Sequence, residues 1–133
     1  MAILVYDITN KASFNSVGQW LEECRIHGHP DMTLLLVGNK TDLSGQRQVS
    51  LAEGEALALK HGMLFSETSA KMDSKVAETF MCAADSVMSK IVDGRIDPRN
   101  EAFGVKLGPL AGKADSTLLH RSLIAPKKSG CCQ

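Results

Sequence analysis

An α/β fold with parallel strands joined by crossover helices is predicted by three observations. Three short apolar runs, residues 2–8, 33–38 and 63–66, have the length and composition of buried strands. Each is followed by a stretch with apolar residues at helical spacing. The strict strand-helix alternation implies three parallel strands connected by right-handed crossovers.

The elements follow in order. Ala2 to Ile8 is continuous and rich in β-branched residues, as a strand covered on both faces requires. Asn10 is a helix cap, after which Phe14, Val17, Leu21 and Cys24 recur at helical spacing to about His27. Gly28-His29-Pro30-Asp31 stops that helix. Thr33 to Gly38 is the second strand, and Ser44-Gly45-Gln46 reads as a loop. Ser50-Leu51-Ala52-Glu53 is a capping box, opening a helix to about Lys60 with Gly62 as its C-terminal stop. Met63 to Ser66 is a short third strand. A last helix is expected over residues 74–92, with Val76, Phe80, Ala83, Val87 and Ile91 on its inner face. Trp20 is expected half-buried, and Cys24 and Cys82 reduced on apolar helical faces.

Two polar stretches stand at strand ends, where an open parallel sheet places its ligand. Gly38-Asn39-Lys40-Thr41-Asp42-Leu43 follows the second strand, and Glu67-Thr68-Ser69-Ala70-Lys71 follows the third. An ionised Asp42 accepts only, and can take two parallel N–H bonds from one planar edge. Guanine has such an edge at its ring N–H and amino group; adenine does not. Lys40 can lay its methylene stem along a base face and keep its ammonium free. Asn39 carries a donor and acceptors with which to tie the loops together. Small residues at Ser69 and Ala70 let backbone N–H groups approach a base carbonyl. A capped turn after a strand is the plainer reading of Asn39 and Asp42 taken alone.

Asn39-Lys40-x-Asp42 with Ser69-Ala70-Lys71 resembles the base-recognition pair of Ras-like small GTPases. Val5-Tyr6-Asp7-Ile8-Thr9, Ser13-Phe14 and Trp20-Leu21 resemble the Rab branch. Glu53-Gly54-Glu55-Ala56, Asn100-Glu101-Ala102 and Gly104-Val105-Lys106-Leu107-Gly108-Pro109 are most similar to its Rab-two subgroup, which serves traffic between the endoplasmic reticulum and the Golgi. The resemblance implies the C-terminal part of a Ras-like phosphate-loop GTPase fold, N-terminally truncated, with its first strand in the place of the family's fourth. It divides the chain into a partial small GTPase domain over residues 1–96 and a flexible tail over 97–133. It implies GTP or GDP as ligand, read by Asn39, Lys40 and Asp42, with Ser69 and Ala70 presenting donors and Lys71 buttressing the loop. Mg²⁺ is expected only in a complete chain, because the phosphate- and metal-holding elements of the family have no counterpart here. Gly108-Pro109-Leu110-Ala111-Gly112-Lys113-Ala114 does not supply one: it has three residues between its glycines, and Ala114 where Ser or Thr is needed. No catalytic residue is assigned.

Net charge is zero, yet unevenly spread. Residues 1–97 carry 9 Lys and Arg against 13 Asp and Glu, and residues 98–133 carry 6 against 2. A basic tail on an acidic body suits an anionic membrane surface, or is a solvated linker with incidental charge. No run approaches about 18 apolar residues, the length of a membrane-spanning helix. His27 and His29 stand two apart in a loop without the Cys, Asp or Glu cluster of a defined metal site, and read as surface histidines.

Gly130-Cys131-Cys132-Gln133 lacks the cysteine at 130 that a four-residue prenylation signal needs. Adjacent cysteines near the end resemble the double geranylgeranylation site of Rab proteins, which implies lipidation of Cys131 and Cys132. Two lipid chains give stable anchoring where one gives marginal binding. The partners implied are a guanine nucleotide, the Rab escort protein, with Val105-Lys106-Leu107 as its docking motif, the geranylgeranyl transferase, and a membrane; no nucleic acid is expected. Localisation follows as the cytoplasmic face of ER-Golgi membranes if prenylated, and the cytosol otherwise. The alternative is a catalytically dead, prenylated fragment that engages the prenylation machinery or membranes without hydrolysis.

Overall fold

A computed structural model describes residues 1–100. Three strands, β1 (Ala2–Asp7), β2 (Leu34–Asn39) and β3 (Leu64–Glu67), form a parallel sheet in the order β1-β2-β3. This is the α/β arrangement expected. Each strand lies within one residue of its predicted limits.

Alternation along the strands sorts the core into two layers. Leu4, Tyr6, Ile8 and Leu36 pack on one face with Val17, Leu21, Val49, Ala58 and Met63. These partners come from α2 (Val17–His27), α3 (Leu51–His61) and their flanking loops. Leu35 and Val37 point to the opposite face and meet Ala83 of α4 (Val76–Val92). β2 therefore has to be apolar at successive positions, and Leu35, Leu36, Val37 and Gly38 are all buried.

The caps read from sequence are present. Asn10 Oδ1 accepts from the N–H groups of Ala12 and Ser13 and opens α1 (Lys11–Asn15). Ser50 Oγ accepts from the Glu53 N–H while the Glu53 carboxylate takes the Ser50 N–H, a complete capping box. Gly62 closes α3 at φ 65°, a left-handed conformation that glycine adopts without a Cβ clash. Lys11 forms an ion pair with Glu53, joining α1 to α3.

Four expectations are corrected. The first helix is two, α1 and α2, broken at Ser16, whose hydroxyl bonds back to the Ala12 carbonyl at 3.1 Å and bends the chain. The segment after β2 is not an open loop: Thr41–Gln46 forms 3₁₀ turns with a non-helical Leu43 between them. On α4 Ala83 is buried as expected and Val76, Val87 and Ile91 are half-buried, but Phe80 is 55% exposed and Thr79 and Cys82 take buried places, because Thr79 Oγ1 reaches Ser66 of β3 at 2.7 Å and turns the helix. Trp20 is 63% exposed, since Val17 and Leu21 take the inward positions of α2.

Tyr6 sits between two glycines. A Cβ at Gly38 would lie 2.8 Å from its hydroxyl oxygen, and a Cβ at Gly54 2.6 Å from that oxygen and 2.7 Å from the Phe65 ring. Burial, with Glu67 nearby, raises the Tyr6 hydroxyl to about 12, so it stays protonated at neutral pH. The extra methyl of Gly54→Ala would have to displace two aromatic rings. That substitution is expected to lower stability by about 1–3 kcal/mol despite alanine's better helix propensity, as thermal or urea unfolding would record.

Candidate functional site

β2 and β3 end side by side, and the residues after them fold over the C-terminal edge of the sheet. Backbone bonds set the frame. The Thr68 N–H donates to the Gly38 carbonyl at 2.8 Å, and the Thr41 N–H to the Thr68 carbonyl at 3.1 Å. Ser69 exchanges backbone bonds with Ser74 at 3.1 and 3.0 Å, which closes the second loop on itself.

Side chains lock the two loops together. Asn39 Oδ1 accepts the Ala70 N–H at 3.0 Å and the Lys40 N–H at 2.8 Å. Ser69, 1% exposed, donates its hydroxyl to Asp42 Oδ1 at 2.6 Å. The Met72 N–H donates to the same Ser69 oxygen at 3.2 Å. Among the described residues the other Asp42 oxygen has no partner. Asp42 is thus fixed through one oxygen and open at the other, in a half-buried position. Such a carboxylate can take hydrogen bonds from a planar donor edge without first losing side-chain freedom.

The structure thereby brings together Asn39, Lys40, Asp42, Ser69 and Ala70, but the backbone donors expected to face a base carbonyl are taken, the Ser69 N–H by the Ser74 carbonyl and the Ala70 N–H by Asn39 Oδ1. Lys71, expected to buttress the loop, is exposed and makes no side-chain bond among the described residues, because Asn39 and Ser69 already hold the loops. Cys131, Cys132 and the 105–107 motif lie outside the described residues. Among the described residues no group of three or more His, Cys, Asp or Glu side chains could hold a metal ion. No described helix is long and apolar enough to cross a membrane.

Sequence reasoning missed two neighbours of the cluster. Arg47 forms a two-pronged ion pair with Glu67, Nη1–Oε1 2.6 Å and Nη2–Oε2 2.8 Å, and Nη1 also donates to the Val49 carbonyl at 3.0 Å. This pair fastens the chain after the 3₁₀ turns to the end of β3. Asp7, at the end of β1, pairs with Lys40 at 2.7 Å. Its position could have been read from sequence, because it ends the first apolar run as Asn39 ends the second.

Lys40 leaves β2 at φ 72° and ψ 38°, in the left-handed region. That turn carries its side chain back over the end of β1. The Lys40 hydrogen bond, followed by those from Thr9, holds the Asp7 carboxyl below its ordinary value of 3.8.

This is an α/β protein with paired polar loops at the C-terminal ends of adjacent parallel strands. Residues 1–89 of the 133 match the model of the Ras family. The chain belongs to that family of small GTPases, nucleotide-binding switches that take GTP and GDP.

The Asp7–Lys40 pair has a pH consequence. A depressed folded-state value gives stability that is present above the unfolded carboxyl value and lost as pH falls through the folded one. In Lys40→Met, the Asp7 carboxyl is expected to titrate closer to 3.8. The small stability gap that so exposed a pair leaves between wild type and variant should close below about pH 4. Carboxyl chemical shifts followed by NMR, with urea unfolding at each pH, would check both.

Proposed function

We propose that Asn39, Lys40, Asp42, Ser69 and Ala70 form the guanine-reading site of a Rab-type switch protein of endomembrane traffic, similar to the Rab-two subgroup. The observation that carries the reading is the state of Asp42: one oxygen fixed by Ser69 at 2.6 Å, the other open. That oxygen would accept from guanine's ring N–H or amino group. Its partner, once the Ser69 hydroxyl shares or yields, would take the second donor. Adenine presents an acceptor at its ring nitrogen there, and would leave the carboxylate facing a lone pair.

Asn39 supports the same reading from the backbone side. By holding the Ala70 N–H it fixes the loop, and a base carbonyl would have to take that N–H from Asn39. The Lys40 stem would cover one face of the ring. Lys71, exposed here, is assigned to the rim of this loop.

The site distinguishes bases, and phosphate contacts would supply most of the affinity for a nucleotide. Attachment to the cytoplasmic face of ER-Golgi membranes would come from geranylgeranyl groups on Cys131 and Cys132. The Rab escort protein and the geranylgeranyl transferase are the partners that this requires.

Asp42→Ala is expected to remove the preference for guanine over adenine, a preference that pockets of this kind can raise to roughly 10⁴-fold. Competition of guanine and adenine nucleotides, measured on wild type and variant, tests it. Equal binding of both by the wild type, or an unchanged ratio in the variant, rules the reading out. Lipidation has its own test. Intact mass after incubation with transferase and escort protein should show two geranylgeranyl groups on the wild type, one on Cys131→Ser and none on the double Cys131→Ser, Cys132→Ser variant.

A further inference from the structure

We infer that Asp7 is a positioning residue for the base site, acting through Lys40; the inference rests on the guanine-reading proposal above. Asp7 and Asn39 are register partners at the ends of β1 and β2. Asn39 directs its side chain across to the β3 loop, and the next residue, Lys40, turns the other way. The left-handed backbone at Lys40 is costly for a residue with a Cβ. It places Nζ 2.7 Å from Asp7 Oδ2.

Asp7 is itself held from several sides. Its Oδ1 accepts the Thr9 N–H at 2.8 Å and the Thr9 hydroxyl at 2.7 Å. Its own N–H donates to Ser13 Oγ at 3.0 Å. The carboxylate is therefore fixed before Lys40 reaches it. The Asp7 side chain is 20% exposed and that of Lys40 51% exposed. An ion pair on so open a lysine adds little to folding stability. Its effect falls on conformation: it tethers the far end of a four-carbon stem that would otherwise sample many rotamers. A lysine laid along a base face loses that freedom on binding, and Asp7 removes the loss in advance.

The stem covers a purine ring without reading its edge, so Asp7 governs affinity and leaves discrimination to Asp42. Asp7→Asn keeps an acceptor for Thr9 and loses the charge that holds Lys40. GDP and ADP are titrated against the 133-residue chain by NMR, on wild type, Asp7→Asn, Lys40→Met and the double variant. Asp7→Asn is expected to weaken both nucleotides roughly three- to tenfold, the range for one side chain set free. The GDP:ADP ratio should stay within twofold. In the Lys40→Met background Asp7→Asn should add nothing, because the residue it acts through is gone.

Asp7→Ser, too short to reach Lys40, must behave like Asp7→Asn and serves if that variant does not fold. Undiminished affinity in the variants overturns the inference. So does a loss that persists in the Lys40→Met background, which would make Asp7 a support of the fold. A wild-type chain without preference for GDP over ADP instead overturns the guanine reading, and the inference with it. Preserved discrimination with unchanged affinity overturns the positioning role alone.

Discussion

β2 has to be buried on both faces, and the remaining elements are arranged to meet that demand. Leu36 faces α2 and α3, and Leu35 and Val37 face α4. A parallel strand between two neighbours cannot be joined to either by a tight turn, so each connection must cross a face as a helix. All three strands then end at the same edge. The loops that gather there do so because of the sheet's direction, whatever their own residues prefer.

At that edge neighbouring loops divide the work by hydrogen-bonding capacity. Asn39 has an acceptor to spend on backbone and holds Ala70. Asp42 has two acceptors, and Ser69 occupies one. Arg47 and Glu67 pin the flank of the same loops through two parallel bonds. The Ser69–Asp42 and Arg47–Glu67 contacts are short, polar and half-buried at the edge of the apolar layer, where competing water is reduced, while the Asn39–Ala70 bond is exposed. The Ser69 hydroxyl shows the economy of the arrangement: it donates to Asp42 and accepts from Met72, closing its own loop while it orients the carboxylate.

Much of this was legible beforehand. β2 was visible because double-sided burial forces a continuous apolar run, and β1 and β3 because their runs are short, apolar and β-branched or aromatic, although Val5 of β1 is 58% exposed. The Asn10 cap and the Ser50–Glu53 capping box were visible because capping is local chemistry. The five residues that meet at the loops could be named from their donors and acceptors. Other features were hidden. Ser16 breaks a helix that periodicity draws through it, because the spacing of Phe14, Val17 and Leu21 does not record where a hydroxyl bonds. Phe80 was placed inside by its hydrophobicity, and Thr79 took the inward place through its bond to Ser66. Helical spacing identifies a face only to within a residue when a polar side chain has a partner across the layer.

The sequence by itself determined the order of elements, their parallel direction and the chemistry available at the strand ends, because these follow from runs, caps and functional groups close along the chain. Only the tertiary structure decided which groups are spent and which remain open. Asp42 has one bonded oxygen because Ser69 arrives from 27 residues away. Lys40 points to Asp7 because its backbone turns left-handed at the end of β2 and the register sets Asp7 beside Asn39. Distances between residues far apart in the chain are fixed by packing and register, and no local reading of side chains contains them.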